Sequence, residues 1–482
     1  VRILVMGSTG YIGGRLVPSL HDAGHEVRCL TRHPEKLEGV AWAESLEVVK
    51  GDAIDRDSLD AAMDGVEVVI YLVHSIGSGP SFEESDRIAA TNTADAAAMA
   101  GVQRIIYLGG LVPADEAASA HLASRAEVGQ IFLDGQVPAV VLQAGVIIGS
   151  GSASFEMLRY LTERLPVMVT PKWVRSLVQP IAVRDVLSYL VGSLDLPDGT
   201  NRRFDIAGPD VLSYRDMMQR YAKVAGLKRR VIVPVPVLSP WLSSQWVNVV
   251  TPVPKAIAQP LIESLRNNAV AHERDIDEYI PLERCPFDEA VRLALHQIRH
   301  AEVATRWSGA RWPGAPSDPM PTDPDWAGGS VYRDDRSLVL DASVEDVWRA
   351  VEGIGGERGW YSFKLAWVLR GLLDRLVGGV GLRRGRRDAN RLYVGEAVDF
   401  WRVEAVTRPR LLRLRAEMKL PGEAWLEFSV EQTDGRTVLH QKALFIPRGL
   451  AGHLYWWSVS PFHSLVFGSM IKNLAQAAKP SE

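Results

Sequence analysis

Gly7, Gly10 and Gly13 recur every third residue in Gly7-Ser8-Thr9-Gly10-Tyr11-Ile12-Gly13-Gly14, directly after the apolar run Arg2-Ile3-Leu4-Val5-Met6. A buried strand that feeds a glycine-rich turn and then a helix lets backbone N–H groups approach a pyrophosphate at the positive end of that helix. Downstream, His121 and Arg125 are four residues apart in a helical pattern, so both can face one cleft. An imidazole there is either a proton donor near neutral pH or a surface histidine without chemistry. Arg125 supplies permanent positive charge but cannot act as a titrating base. Arg32, just past Cys29-Leu30-Thr31, is either a bidentate phosphate contact or a solvated loop charge.

These groups need a scaffold, and the first half of the chain supplies alternating strand and helix patterns. After the glycine turn, Arg15–Ala23 reads as a helix with Leu16, Val17 and Leu20 on one face and Gly24 at its end. Strands are expected at Glu26–Leu30, Leu46–Val49, Val66–Val73, Ile105–Leu108 and Ala139–Gln143, with a short helix at Ser58–Met63. Continuous apolar runs separated by helical patterns mark a parallel sheet covered on both faces, so the fold class is α/β with a doubly wound sheet.

Several ordered motifs carry a resemblance. Gly7-x-x-Gly10-x-x-Gly13, Gly51-Asp52, Thr91-Asn92-Thr93, Gly101-Val102-Gln103-Arg104-Ile105-Ile106-Tyr107, Gln179-Pro180-Ile181-Ala182-Val183-Arg184-Asp185-Val186 and Asp205-Ile206-Ala207-Gly208-Pro209 resemble the extended and atypical short-chain dehydrogenase/reductase superfamily, near its NmrA-like and nucleotide-sugar-epimerase-like branches. The resemblance spans roughly the first 300 residues and implies a Rossmann NAD(P) site. Gly7, Thr9, Gly10, Tyr11, Ile12 and Gly13 would surround the pyrophosphate, with Asp52 and Ala53 at the adenine edge. Leu72, Val73 and His74 would line adenosine and ribose, and Gly109, Arg125 and Gly145 complete the cofactor set. The strand ending at Leu30 carries no terminal carboxylate and is followed by Arg32, which favours NADP(H) over NAD(H).

In this superfamily a tyrosine and a lysine four residues later handle the substrate proton. Counted from the fifth strand, His121 and Arg125 hold those places, and Gly109-Gly110 follow the strand where a serine is usual. Tyr107 lies within the strand and reads as core. Hydride transfer to a quinone-like or otherwise activated acceptor asks least of a positioned acid. The alternative is an NAD(P)H-binding sensor or assembly protein without turnover, similar in architecture to the nucleotide-binding accessory subunit of respiratory complex I.

The stretch Gly145–Tyr189 should build the substrate side, with Met157, Leu158, Leu161, Trp173 and Val174 either lining the cleft or packing as core. Pro-rich Val231–Pro260, with Trp241 and Trp246, reads as a lobe near the cleft mouth, and Phe287–His300 as a closing helix. We divide the chain into a nucleotide-binding domain with a substrate lobe over 1–305, a Pro/Gly-rich linker over 306–330 and a second domain over 331–482.

The second domain opens with a strand at Ser337–Leu340 and a helix capped by Ser343 and Asp346, then an amphipathic helix at Leu365–Val377. Strands follow at Ala397–Val406, Leu411–Met418, Ala424–Gln432 and Thr437–Phe445, and a final helix at Pro461–Ala478. This order is similar to the SRPBCC or START-like helix-grip fold, and Gly385-Arg386-Arg387, Val394–Val403 and Leu411–Met418 resemble the DUF2867 family. The resemblance implies a cavity for a small apolar molecule between sheet and final helix. Trp401, Trp425, Phe428, Phe445, Tyr455, Trp456, Trp457 and Phe462 would line it or fill it.

The composition limits the partners. The chain has 482 residues, 47% hydrophobic and 23% charged, with formal net charge −4, so it offers no global attraction for nucleic acid. Two cysteines, Cys29 and Cys285, exclude a disulfide framework and point to a reducing, cytoplasmic setting. The N-terminal apolar stretch leads into the glycine turn, so it is expected to belong to the fold. Prolines interrupt Val231–Pro254, which leaves no spanning helix but keeps peripheral membrane contact open. Arg383-Arg384-Gly385-Arg386-Arg387, with Arg391, is the one concentrated basic patch and reads as an anion site or a solvated loop. Scattered histidines and unpaired cysteine spacing give no expected metal site.

Overall fold

Alternate residues of the first strand, β1 (Arg2–Met6), belong to different cores. Ile3 and Val5 face one, Leu4 and Met6 the other. The same split recurs in β4 (Val68–Tyr71), β5 (Arg104–Gly110) and β6 (Ala139–Ala144), which is why these strands read as unbroken apolar runs. With β2 (Glu26–Thr31), β3 (Glu47–Lys50) and β11 (Arg202–Ile206) they form a seven-stranded parallel sheet in the order β11-β6-β5-β4-β1-β2-β3. Helix α1 (Gly13–Asp22) and α6 (Val183–Gly192) cover one face; α2 (Arg56–Ala62), α3 (Phe82–Ala100) and α4 (Ala120–Leu133) cover the other. A doubly wound sheet is therefore present, as the alternation required.

The computed structural model describes residues 1–37, 40, 42–74, 82–113, 119–170, 172–234, 251, 253–265, 267–304, 330–355, 359–361, 391–433 and 435–478. The chain divides into two compact units, Val1–Gly329 and Ser330–Glu482. Residues 306–329 of the expected linker, Trp173's side chain, the Trp241 and Trp246 region, the Leu365–Val377 helix and the Arg383–Arg387 patch lie outside the described residues.

The first unit carries a lobe with its own core. Its helices are α5 (Ala153–Arg164), α7 (Tyr214–Val224), Lys255–Ser264 and Phe287–Ala304. Short pairs accompany them: β7 (Ile147–Ile148) with β10 (Ile181–Ala182), β8 (Val167–Thr170) with β13 (Val231–Pro234), and β9 (Leu177–Val178) with β12 (Leu212–Ser213). Met157, Leu158, Leu161 and Val174 are buried in this core, so the packing reading holds over the cleft-lining one. A capping box at Ser213 and Asp216 starts α7.

The second unit is a six-stranded antiparallel sheet, β14-β19-β18-β17-β16-β15, with helix Val344–Glu352 and the C-terminal helix Gly449–Ala477. Its strands are β14 (Tyr332–Leu340), β15 (Ala397–Val398), β16 (Trp401–Thr407), β17 (Leu411–Ala416), β18 (Gly422–Thr433) and β19 (Arg436–Pro447). This is a helix-grip-like arrangement. Two expectations are corrected here. The single strand expected over Ala397–Val406 is a tight hairpin, because Asp399 takes a left-handed φ of +53° and Val398 pairs back with Trp401. The final helix begins at Gly449 and runs through Pro461, since its apolar first half packs on β14 and β19 and one lost backbone bond does not outweigh that burial.

A candidate nucleotide site at the reversal of strand order

The strand order reverses at β1, which lies between β4 and β2, and ligands of open α/β sheets sit in the crevice beyond such a point. The glycine turn fills that position. Gly7 has φ +89°, a left-handed conformation open to glycine, and a Cβ there would stand 3.1 Å from the Leu72 carbonyl carbon and oxygen. A Cβ at Gly13 would run into the Gly7 carbonyl and reach 2.8 Å from Ser8 Cα. Gly10 is exposed and donates its N–H to Gly7 O at 3.0 Å. The turn thus folds tightly against the end of β4 and delivers the chain into α1, where the Gly14 and Arg15 amides donate to Gly10 O at 2.9 Å and Ile12 O at 3.1 Å. The positive end of α1 at this turn fits a pyrophosphate.

An anchor that the sequence reading missed fixes the turn. Arg15 is 5% exposed and its guanidinium stacks 4.2 Å from the Tyr11 ring centroid. Nη1 donates to Tyr11 O at 3.0 Å and Nη2 to Ser150 O at 3.5 Å. A Cβ at Gly149 would collide with the Tyr11 hydroxyl, so the loop entering α5 lies directly on the turn. The signal was present as Gly149-Ser150, but a helix-start arginine ordinarily points to solvent.

At the end of β2, Thr31 accepts the His33 N–H at 3.1 Å and His33 pairs with Glu35 at 2.9 Å. Arg32 is exposed and makes no ion pair among the described residues. Beyond β3, Asp52 is half-buried; its Oδ1 accepts the Ile54 N–H at 3.1 Å and its own N–H donates to Ser58 Oγ at 3.0 Å. Asn92 donates to the carbonyls of Ile54 at 2.8 Å and buried Ala53 at 3.3 Å, tying this loop to α3. Leu72 and Val73 are half-buried and His74 is exposed at the end of β4. Gly145 is buried, its N–H donating to Ile206 O at 3.0 Å. Thr9 and Ile12 are half-buried within the turn.

On the other side of the crevice, the Ser119 hydroxyl caps α4 by accepting the Leu122 N–H at 3.3 Å. His121 and Arg125 follow one turn apart. Arg125 Nη2 donates to Leu108 O at 2.7 Å, and its Nε would lie 4.0 Å from a Cβ on Gly110, so the guanidinium sits over the end of β5 beside buried Gly109. His121 is 8% exposed, and burial, then the charge of Arg125 and the neighbouring His74, pushes it down to about 3. Its ring is neutral at pH 7. This corrects the expectation of a histidine that donates its proton near neutral pH, because an imidazolium would be desolvated beside a fixed cation. Tyr107 is core: its hydroxyl donates to Arg125 O at 3.3 Å, its ring meets Tyr71 at 5.9 Å, and burial raises its pKa.

In the second unit, Trp401, Trp425, Phe445, Tyr455, Trp456 and Phe462 line a cavity of about 170 Å³ between β16–β19 and the C-terminal helix. Phe428 packs in the core instead, and Trp457 is 60% exposed on the helix. His296 and His300, four residues apart on the helix Phe287–Ala304, carry a ligand-pair spacing that the sequence reading passed over. Their side chains lie outside the described residues, among which no cluster of three metal-ligating side chains occurs. Among those residues, no helix is long and apolar enough to cross a membrane.

Comparison with known proteins agrees with both units. Residues 7–142 match the family described as NAD(P)H-binding, and residues 326–470 match the protein family of unknown function DUF2867. A Streptomyces griseus (4-alkanoyl-5-oxo-2,5-dihydrofuran-3-yl)methyl phosphate reductase is 29% identical over 231 residues, 46% of this chain and 74% of the relative. Mouse NADH dehydrogenase [ubiquinone] 1 alpha subcomplex subunit 9 is 26% identical over 243 residues, 48% of this chain and 62% of that protein. A Citrobacter triphenylmethane reductase solved with NADP(H) shares the fold with TM-score 0.50 at 23% identity, covering 61% of this chain and all of that one. The chain consists of an N-terminal NAD(P)-binding Rossmann domain of oxidoreductase-like fold, fused to a C-terminal DUF2867 domain.

Proposed function

We propose that the protein is an NAD(P)H-dependent reductase of an apolar, quinone-like acceptor, with the DUF2867 domain holding ligand. One observation carries this reading: among the described residues, α4 carries His121 and Arg125 where a tyrosine–lysine pair would stand, with the Arg125 guanidinium over the end of β5 and the His121 ring neutral. Bound there, the dinucleotide would supply a hydride. Gly7, Thr9, Gly10, Tyr11, Ile12 and Gly13 would hold its pyrophosphate, Asp52, Ala53, Leu72, Val73 and His74 its adenosine, and Gly109, Arg125 and Gly145 its nicotinamide half. Arg125 would stabilise negative charge developing on the acceptor oxygen, and the proton would come from solvent. An ordinary ketone needs a stronger positioned acid than this crevice offers.

Arg32 supports NADP(H) over NAD(H), since an exposed guanidinium without an ion-pair partner among the described residues suits a 2′-phosphate. The test is titration with NADPH and NADH, then loss of nicotinamide absorbance with quinones, enones and aldehydes added. Quinone or enone reduction with poor aldehyde turnover is expected. Arg32→Ala should weaken NADPH about tenfold and leave NADH within twofold, by the loss of one charge-assisted contact. Equal losses for both nucleotides would remove the preference. A second reading, a nucleotide-binding sensor or assembly protein, is favoured by the same absence of the pair. Tight NADPH binding with no oxidation across the panel would establish it.

A further inference from the structure

The C-terminal helix Gly449–Ala477 buries one face and leaves a second apolar face uncovered. Phe467, Met470, Ile471 and Leu474 sit in the core of the unit, and the helix packs on β14 and β19. On the other side Leu450, Leu454, Trp457, Pro461 and Leu465 are exposed at intervals of three and four residues, with exposed Phe462 beside them. A surface helix ordinarily turns charged side chains outward. This one has no Lys, Arg, Asp or Glu between Arg448 and Lys472.

The charge around this face narrows its occupant. Arg448 precedes the helix, and Lys472, seven residues after Leu465, continues the apolar row; both are exposed and neither makes an ion pair among the described residues. Residues 435–481 contain no Asp or Glu, and residues 330–482 hold 23 Lys and Arg against 18 Asp and Glu in a chain of net charge −4. A second copy of the helix is therefore a poor cover. Laid antiparallel it would set Arg448 beside Lys472, and laid parallel it would set each cation beside its duplicate, with no acid in either helix to relieve the repulsion. A bilayer with anionic headgroups meets both features: its hydrocarbon boundary accepts the leucines and Phe462, its interface suits the Trp457 indole, and its phosphates attract Arg448 and Lys472. Phe462 also lines the cavity of about 170 Å³, so that cavity borders the exposed face.

We propose that the outer face of the C-terminal helix docks on an anionic lipid bilayer, lying along its surface rather than crossing it. The cavity then borders lipid, and an apolar molecule reaches it without passing through bulk water. That consequence rests on the reading of the DUF2867 domain as a ligand holder; the docking does not.

The test uses the full chain, sedimented with vesicles of phosphatidylcholine alone or of phosphatidylcholine and phosphatidylglycerol in equal parts. Binding to the anionic vesicles should be about tenfold or more tighter, and should fall toward the neutral level in high salt or in the variant combining Arg448→Gln and Lys472→Gln. Leu454→Ser with Leu465→Ser, both at positions more than half exposed, should weaken binding about tenfold or more. Val339→Ser, at an exposed position on β14, should leave it unchanged. Brominated acyl chains should quench the emission of the wild-type chain more than that of Trp457→Phe. If a double variant does not fold by far-ultraviolet circular dichroism, the two vesicle compositions, the salt dependence and the quenching still decide. No binding to anionic vesicles, equal binding to both kinds, or undiminished binding of the leucine variant overturns the docking. A dimer that dissolves in the leucine variant also overturns it and gives the face to a second copy. None of these outcomes alters NADPH binding or oxidation, so a failure here is separate from a failure of the reductase reading.

Discussion

His121 illustrates how far a neighbourhood moves a side chain from its ordinary chemistry. The imidazole sits between the Arg125 charge and the protein interior, and its pKa falls from 6.5 to about 3. The unfolded chain therefore takes up a proton near pH 6.5 that the folded chain refuses until about pH 3. Stability from this group is fully present above pH 6.5 and is lost as the pH falls from there toward 3, by about 1.4 kcal/mol per unit. Urea denaturation at pH 7 and pH 5 should show this decline in the wild-type chain and a shallower one in His121→Asn. Equal slopes would mean that the ring titrates normally. The i, i+4 placement of His121 and Arg125 was legible in the sequence because helical spacing fixes it. The neutral state was not, since it depends on burial and on His74, which arrives from beyond the end of β4. The role of Arg15 was hard to read for a similar reason: its partner, Ser150, is 135 residues away.

Strands and helices differ in how openly they declare themselves. β1, β4, β5 and β6 were legible because two cores demand apolar residues on both faces, leaving no alternation to misread. The hairpin inside Ala397–Val406 was not, because Asp399 and Phe400 interrupt the pattern without a glycine or a proline to mark the turn. Asp399 tolerates its left-handed φ and accepts the Trp360 N–H at 2.6 Å, so it serves both turn and core. Asp399→Val should cost about 2 kcal/mol or more, from backbone strain plus an orphaned indole N–H. Asp399→Asn, which keeps both features, should cost less than half of that in the same urea titration. A similar loss from both would place the effect in the carboxylate charge.

For the whole molecule, the decisive fact is that, among the described residues, each unit has its own core: four clusters around the sheet and lobe of the first, and one under the sheet of the second. Calorimetry should therefore resolve two cooperative transitions. Adding NADPH at a hundredfold its dissociation constant should stabilise one of them by about 2.7 kcal/mol and leave the other in place. A single transition moved by NADPH would show that the units unfold as one. The resemblance of the two halves to separate families was readable from local motifs. What each half does with its cleft depends on partners far apart in sequence.

Arg15 ties these scales together. Its guanidinium rests on Tyr11 in the glycine turn and reaches the Ser150 carbonyl, three residues before α5 begins. Opening fluctuations of the turn and of the start of that helix should then be a single event. Saturating NADPH is expected to slow amide hydrogen exchange over Gly149–Glu156 as well as over Gly7–Gly14, and in Arg15→Ala to slow only the latter. Occupancy of the nucleotide site would thereby be reported, as local rigidity, to a helix of the neighbouring lobe.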